Sequence, residues 1–184
     1  MNLEKIIKQC KKGDIKAQKE LYDTYKDGLF VLCLKYSRNR EEAEDNLQDS
    51  FMVIFTSIEK YKGKGSFEGW MKRIVINKAI TLFKRESNFN VLINEDITKD
   101  IVIEKSLISA IPLQEILRAV QELPTRYKMV FNLYEMDNYT HKEVAQMLDI
   151  TEGTSKSNLY RAKVILKESL QKWNTTSKNR SYGN

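Results

Sequence analysis

Residues 139–163 read YTHKEVAQMLDITEGTSKSNLYRAK, and this stretch decides the reading of the chain. Val144, Ala145 and Leu148 recur at the spacing of one helix face, and Ile150 falls in a short break. Thr151 is placed to cap a second helix whose apolar face carries Leu159, Ala162 and Leu166. Two short helices meeting at a tight turn make a helix-turn-helix. On the second helix the spacing predicts Lys156, Ser157, Tyr160 and Arg161 toward solvent. Cations attract phosphates and hydrogen-bonding side chains meet the acceptors of base edges, so such a helix suits the major groove of duplex DNA.

Around that motif the chain reads as all-α. Its 184 residues allow one ordinary domain or two small ones, and a hydrophobic content of 41% is enough for compact cores. Two prolines and seven glycines leave long helices uninterrupted. No run approaches the roughly 18 apolar residues of a membrane span, and MNLEKIIKQCKKGD lacks the apolar stretch of a secretory signal, so a cytoplasmic location is expected. Cys10 and Cys33 are too few for a disulfide scaffold or a zinc site and read as reduced thiols; no cofactor or metal is expected. His141 is expected at a helix start, in a polar role, because no nucleophile with a base partner accompanies it.

Charge is distributed unevenly. Residues 1–86 hold 18 Lys/Arg against 13 Asp/Glu, residues 87–112 hold 2 against 4, and residues 113–184 hold 11 against 8. Two basic bodies therefore flank an acidic connector, whose short apolar runs show no sustained helical period and suit docking when ordered. Pro112 closes it just before a new helix. The expected organisation is a helical domain over 1–86, a linker over 87–112, a helix-turn-helix domain over 113–174 and a flexible tail over 175–184.

In the first body a helix over about residues 2–11 ends at Gly13-Asp14, and a second runs from about Ile15 into Ser37. In the next segment, REEAEDNLQDSFMVIFTSIEKY, Leu47, Phe51, Ile54, Phe55 and Ile58 form a core stripe. Asp45, Gln48, Asp49 and Met52 share the opposite side. That side is either a solvated face with one harmless methionine or a docking surface for a basic partner.

The segment KYKGKGSFEGWMKRIVINKAITLFKRE joins a lysine-bearing glycine loop to a helix that reads as apolar around its whole circumference, through Trp70, Met71, Ile74, Val75, Ile76, Ile80 and Phe83. Such a helix is sandwiched or meets a ligand on its second side. Gly63, Gly65 and Gly69 do not match a P-loop, which argues against nucleotide hydrolysis. Tyr61, Phe67 and Trp70 interleave with Lys62, Lys64, Lys72 and Arg73. Aromatic faces that stack unpaired bases, with cations along the backbone, make a single-strand binding surface; Phe67 and Trp70 also fit a core, and for Trp70 the core is the expectation.

Three segments in this order resemble the extracytoplasmic-function group of the sigma-70 family of RNA polymerase sigma factors. EAEDNLQDSFMVIF is similar to the acidic helix of its region two, SFEGWMKRIVINKAI to its melting and minus-ten segment, and ELPTRYKMVFNLYEMDNYTHKEVAQMLDITEGTSKSNLYRAKVIL to its region four. The resemblance covers about residues 5–86 and 113–172. It implies that Asp45, Gln48, Asp49 and Met52 grip the clamp helices of the β′ subunit of core RNA polymerase, whose β flap is a further partner. It implies a minus-ten pocket for a flipped base from Tyr61, Lys62, Lys64, Ser66, Phe67, Arg73 and Asn77. It assigns the minus-thirty-five element to Thr154, Lys156, Ser157, Tyr160 and Arg161, with Arg126 and Lys128 on the DNA backbone. It further implies control by an anti-sigma factor, commonly anchored in the inner membrane, and no catalytic residues.

The chain departs from the family pattern at three places. Ser155 stands where an apolar residue is usual, so looser packing of the recognition helix is expected. Asp149 stands where glycine is common, though Asp tolerates a left-handed backbone. Thr81 replaces a frequent acidic residue. Two other classes remain open at this point: a stand-alone helix-turn-helix repressor or activator, and a metal-dependent nuclease using Glu41, Asp45 and Asp49.

Overall fold

The computed structural model describes residues 2–86 and 105–181, and among these every regular element is helical. The chain divides into two compact units, Met1–Phe89 and Asn90–Asn184. No helix among the described residues is long and apolar enough to cross a membrane.

The first unit holds α1 (Leu3–Cys10), α2 (Ile15–Tyr36), α3 (Arg40–Ser57) and α4 (Phe67–Glu86), with a single 3₁₀ turn at Ile58–Lys60. Side-chain caps start three of them. The carboxamide oxygen of Asn2 accepts from Lys5 N–H at 3.1 Å, and that of Asn39 from Glu42 N–H at 2.8 Å. Asp14 Oδ1 accepts from Lys16 N–H at 2.8 Å and Ala17 N–H at 3.2 Å. Each satisfies a backbone donor that the first helical turn leaves open. Leu21, Leu29, Cys33, Ala43, Leu47, Phe51, Ile54, Ile58, Met71 and Val75 fill the core.

Contrary to the all-round apolar reading, α4 keeps one polar stripe. Arg73, Asn77 and Thr81 follow one another every four residues and are exposed, while Met71, Val75, Ile76, Ile80 and Phe83 are buried. Cys10 and Cys33 are free and buried, and burial pushes the Cys33 thiol up to about 12, so the reactive thiolate is absent at neutral pH.

The second unit holds α5 (Lys105–Ser109), α6 (Leu113–Gln121), α7 (Thr125–Phe131), a π-helical turn (Asn132–Met136), α8 (His141–Leu148) and α9 (Glu152–Ser181). Two expected boundaries are corrected here. Ile111 is buried in one cluster with Ala119, Leu123, Ala162, Leu166 and Leu170, and Leu107 packs against it, so residues 105–112 belong to this unit rather than to a linker. Residues 87–104 of that expected linker lie outside the described residues. At the other end α9 runs through Ser181, into the expected tail. Its apolar series continues past Leu166 to Leu170 and Trp173, and the Thr175 and Thr176 hydroxyls donate to the carbonyls of Gln171 and Lys172 at 3.0 and 2.9 Å, four residues back.

The helix-turn-helix is built locally. Thr140 and Glu143 form a reciprocal capping box at the start of α8: Glu143 N–H donates to Thr140 Oγ1 at 3.3 Å, and the Glu143 carboxylate accepts from Thr140 N–H at 2.8 Å. Thr140→Ala is expected to lower the unfolding free energy by about 1 kcal/mol, read by urea denaturation of the full chain. Asp149 ends α8 in the left-handed region at φ 59°, and Ile150 N–H closes the turn on the Ala145 carbonyl at 3.0 Å. Thr151 then caps α9, accepting from Thr154 N–H at 3.0 Å.

Candidate polymerase and nucleic-acid surfaces

Three groups of predicted side chains come to the surface, two on the first unit and one on the second. On α3, Asp45, Gln48, Asp49 and Met52 lie at intervals of three and four residues, share one face and are all exposed. Met52 is 65% exposed, an apolar side chain standing among carboxylates. Asp49 is engaged at 2.9 Å by Lys78 of α4, but the pair is open to water, so it holds the carboxylate weakly and a stronger basic partner can take it. Glu41, Asp45 and Asp49 do not converge. At 1.5 Å rise per residue the outer two are about 12 Å apart along α3. No group of three ligating side chains able to hold a metal ion forms among the described residues. The nuclease arrangement therefore fails on geometry.

The second surface is the loop between the 3₁₀ turn and α4, with the polar stripe of α4. Gly63 and Gly65 have φ of 74° and 79°, where a Cβ would be strained. Tyr61 is fixed at both ends: its carbonyl accepts from Lys11 Nζ at 2.9 Å, and its hydroxyl donates to the Gly65 carbonyl at 2.8 Å. Lys62, Lys64, Ser66, Arg73 and Asn77 are exposed around this anchor. Ser66 has a structural duty as well, since its hydroxyl oxygen accepts from Gly69 N–H at 3.0 Å at the start of α4.

Phe67 is corrected. It is buried, with its ring stacked on Trp70 at 5.4 Å and met edge-on by Tyr61 at 5.0 Å and Tyr25 at 6.3 Å, so no face is open to a base. Trp70 and Tyr61 are half-buried and stand 5.6 Å apart.

On the second unit, Lys156 is exposed on the first turns of α9, and Thr154, Tyr160 and Arg161 are half-buried there. Two predicted contacts turn inward. Ser157 is buried and its hydroxyl donates to the Thr154 carbonyl at 3.0 Å, because so short a side chain folds back on its own helix. Lys128 is only 2% exposed and its ammonium donates to Gln121 Oε1 at 3.2 Å, since it shares the inward arc of α7 with Met129 and Val130. Arg126 remains exposed, its guanidinium 5.3 Å from the centre of the Tyr127 ring.

Sequence reasoning missed contacts that join distant parts of the chain, among them Lys11 to Tyr61, Asp49 to Lys78, and His141 Nδ1 to Ser155 Oγ at 2.9 Å. Only the last had a signal, a serine at an apolar position. His141 is the first residue of α8 but does not cap it. That role belongs to Thr140.

Residues 21–89 match the sigma-70 region 2 family and residues 113–166 the sigma-70 region 4 family, together about two-thirds of the chain. The chain belongs to the sigma-70 family. It is an extracytoplasmic-function sigma factor, a factor that directs promoter recognition and transcription initiation. Among similar curated proteins, the ECF RNA polymerase sigma factor SigW of Bacillus subtilis (strain 168) is 28% identical, over 93% of this chain and 98% of that one. The ECF RNA polymerase sigma-E factor of Haemophilus influenzae is 24% identical, over 90% and 94%. In fold, the chain resembles the sigma factor RpoE of Bartonella quintana, solved with the anti-sigma factor NepR, at a TM-score of 0.51 and 18% identity over 85% of this chain and 98% of that one. The region 2 match spans the acidic face of α3, the loop and α4, none of which a stand-alone helix-turn-helix regulator requires. None of the matched families is catalytic.

Proposed function

We propose that this sigma factor docks on core RNA polymerase through Asp45, Gln48, Asp49 and Met52 of α3, with the β′ clamp helices as the basic partner. The observation that carries the assignment is an acidic, exposed helix face with one projecting methionine on an otherwise basic domain. Docking of this kind is steered by charge and anchored by the apolar side chain. The second unit contacts the β flap and reads the upstream promoter element with Thr154, Lys156, Tyr160 and Arg161, while Arg126 holds a phosphate. The first unit traps an unpaired base of the minus-ten element between Tyr61 and the exposed Lys62, Lys64, Ser66, Arg73 and Asn77. Flipping a base costs a few kcal/mol, which stacking and edge hydrogen bonds offset.

No covalent chemistry is involved, and the protein works in the cytoplasm, where polymerase and promoter are. An anti-sigma factor, such as the one seen with the Bartonella protein, occludes these surfaces until a signal arrives.

Run-off transcription with purified core polymerase on fragments of the source genome tests the reading. Transcripts starting at discrete sites only when the factor is added are expected, and their absence on every fragment overturns it. On a promoter so found, Arg161→Ala should lower upstream affinity by roughly tenfold, the scale of one bidentate base contact, and leave affinity for core polymerase unchanged.

A further inference from the structure

Ser155 is the anomaly of the second unit. It lies in the first turn of α9, fully buried at 0% exposure, where a hydroxyl without a partner is costly. Its partner is His141, fourteen residues earlier, with Nδ1 and Oγ 2.9 Å apart. The imidazole is itself held from behind, stacked on Tyr134 with ring centres 4.1 Å apart and planes 20° from parallel. The π-helical turn, the start of α8 and the start of α9 thus meet at one polar point. A second tie joins the same π-helical turn to α9 two turns further along, where Lys163 Nζ meets Glu135 at 2.9 Å. One tie lets a helix pivot. Two ties eight residues apart, about 12 Å of axis, fix its rotation.

We propose that His141 is a positioning residue for promoter reading: through Ser155 it sets the rotation of α9 and hence the aim of Thr154 and Lys156 at the start of that helix. The proposal rests on α9 being the upstream-duplex reader. Ser155 is accordingly a designed polar seat and does not loosen the recognition helix, as its departure from the family pattern led one to expect.

The neutral ring with its proton on Nε2 suits this role, because its bare Nδ1 accepts a hydrogen bond from the serine hydroxyl. Protonation would turn Nδ1 into a donor and leave the buried hydroxyl proton to find another acceptor. The surroundings favour the neutral ring. Burial chiefly, then Lys156 and Lys163 of α9, hold His141 below its ordinary pKa of 6.5, against the opposing carboxylates of Glu152 on α9 and Glu135 in the π-helical turn. A folded-state value below the unfolded one means that the contribution is complete above pH 6.5 and declines as pH falls from there toward the folded value. A shallow groove lined by Tyr134, Glu135, Asn138, Tyr139, Thr140 and His141 gives solvent a route to the ring.

His141 is the only histidine in the chain, so imidazole nitrogen resonances of the full-length protein report on it alone. An unprotonated, hydrogen-bonded Nδ1 is expected at pH 7.5, with a midpoint below 6.5 that Ser155→Ala moves upward. In holoenzyme on a promoter found by run-off transcription, Ser155→Ala and His141→Phe should each weaken upstream-duplex binding roughly fivefold, the scale of one hydrogen bond. Lost footprint protection should be confined to phosphates facing the start of α9. His141→Asn, which keeps an acceptor at the Nδ1 position, should restore binding and abolish its decline between pH 7.5 and 5.5. Full affinity in Ser155→Ala, or a His141→Asn protein as weak as His141→Phe, overturns the proposal. Failure of the wild-type holoenzyme to protect any upstream duplex would instead remove the duplex-reading assignment, and the resonances would still decide whether the pair exists.

Discussion

Phe67→Ala should destabilise the first unit by about 3–5 kcal/mol, the cost of deleting a buried aromatic side chain and leaving a cavity. The ring is enclosed by Trp70, Tyr61 and Tyr25 and is only 3% exposed. Its removal would also release Tyr61 and Trp70, the two half-buried aromatics beside the lysine-bearing loop, so loss of promoter melting would follow from loss of structure. Lys64→Ala provides the contrast. That side chain is exposed, and its loss should change stability by less than about 0.5 kcal/mol while reducing open-complex formation. Urea denaturation and permanganate footprinting of the same two proteins separate the effects. A Phe67→Ala protein as stable as wild type but unable to melt promoter would return Phe67 to the base-contacting set.

The same contrast shows what was legible in the sequence. Periodicity names the inward stripe of a helix, and it did so for Leu47, Phe51 and Ile54 on α3, for Ile58 in the 3₁₀ turn that follows, and for Leu159, Ala162 and Leu166 on α9, all of them buried, while Phe55 of the same stripe is half-buried. Caps and turns are equally local, which is why Thr151 and the left-handed Asp149 could be read in advance. Polar residues at the border of a stripe are another matter. Lys128 and Ser157 look exposed by type, but their burial depends on what packs alongside, Gln121 in the first case and the helix backbone in the second. Phe67 was ambiguous for the converse reason: an aromatic flanked by cations has the composition of a base-stacking site whether or not its faces are already covered. The ends of the second unit were misjudged because α5 is too short to show a period, and because Leu170 and Trp173 extend the α9 stripe beyond the point where the helix-turn-helix pattern stops.

Asp45→Ala combined with Gln48→Ala should reduce affinity for core polymerase at least thirtyfold and abolish run-off transcription at limiting factor. Both residues are exposed on α3 and contribute nothing to its core, so the double variant should unfold within about 1 kcal/mol of wild type. The size of the effect follows from their position beside Met52. A charged or amide side chain next to an apolar anchor becomes desolvated when the partner closes over it, and truncating such a group typically costs about 2 kcal/mol or more, which is about thirtyfold in affinity. Asp49→Ala should do less, because its carboxylate already shares Lys78 in the free protein and part of its attraction for a basic partner is offset by breaking that pair. Salt sharpens the distinction: wild-type docking should weaken as ionic strength rises, and the double variant, stripped of one carboxylate on this face, should show a shallower dependence. Fluorescence anisotropy of labelled factor titrated with core polymerase measures both affinity and slope. Undiminished binding by the double variant would remove the docking assignment from α3, and an equal loss in Arg161→Ala would mean that the two units do not divide the work between polymerase and duplex.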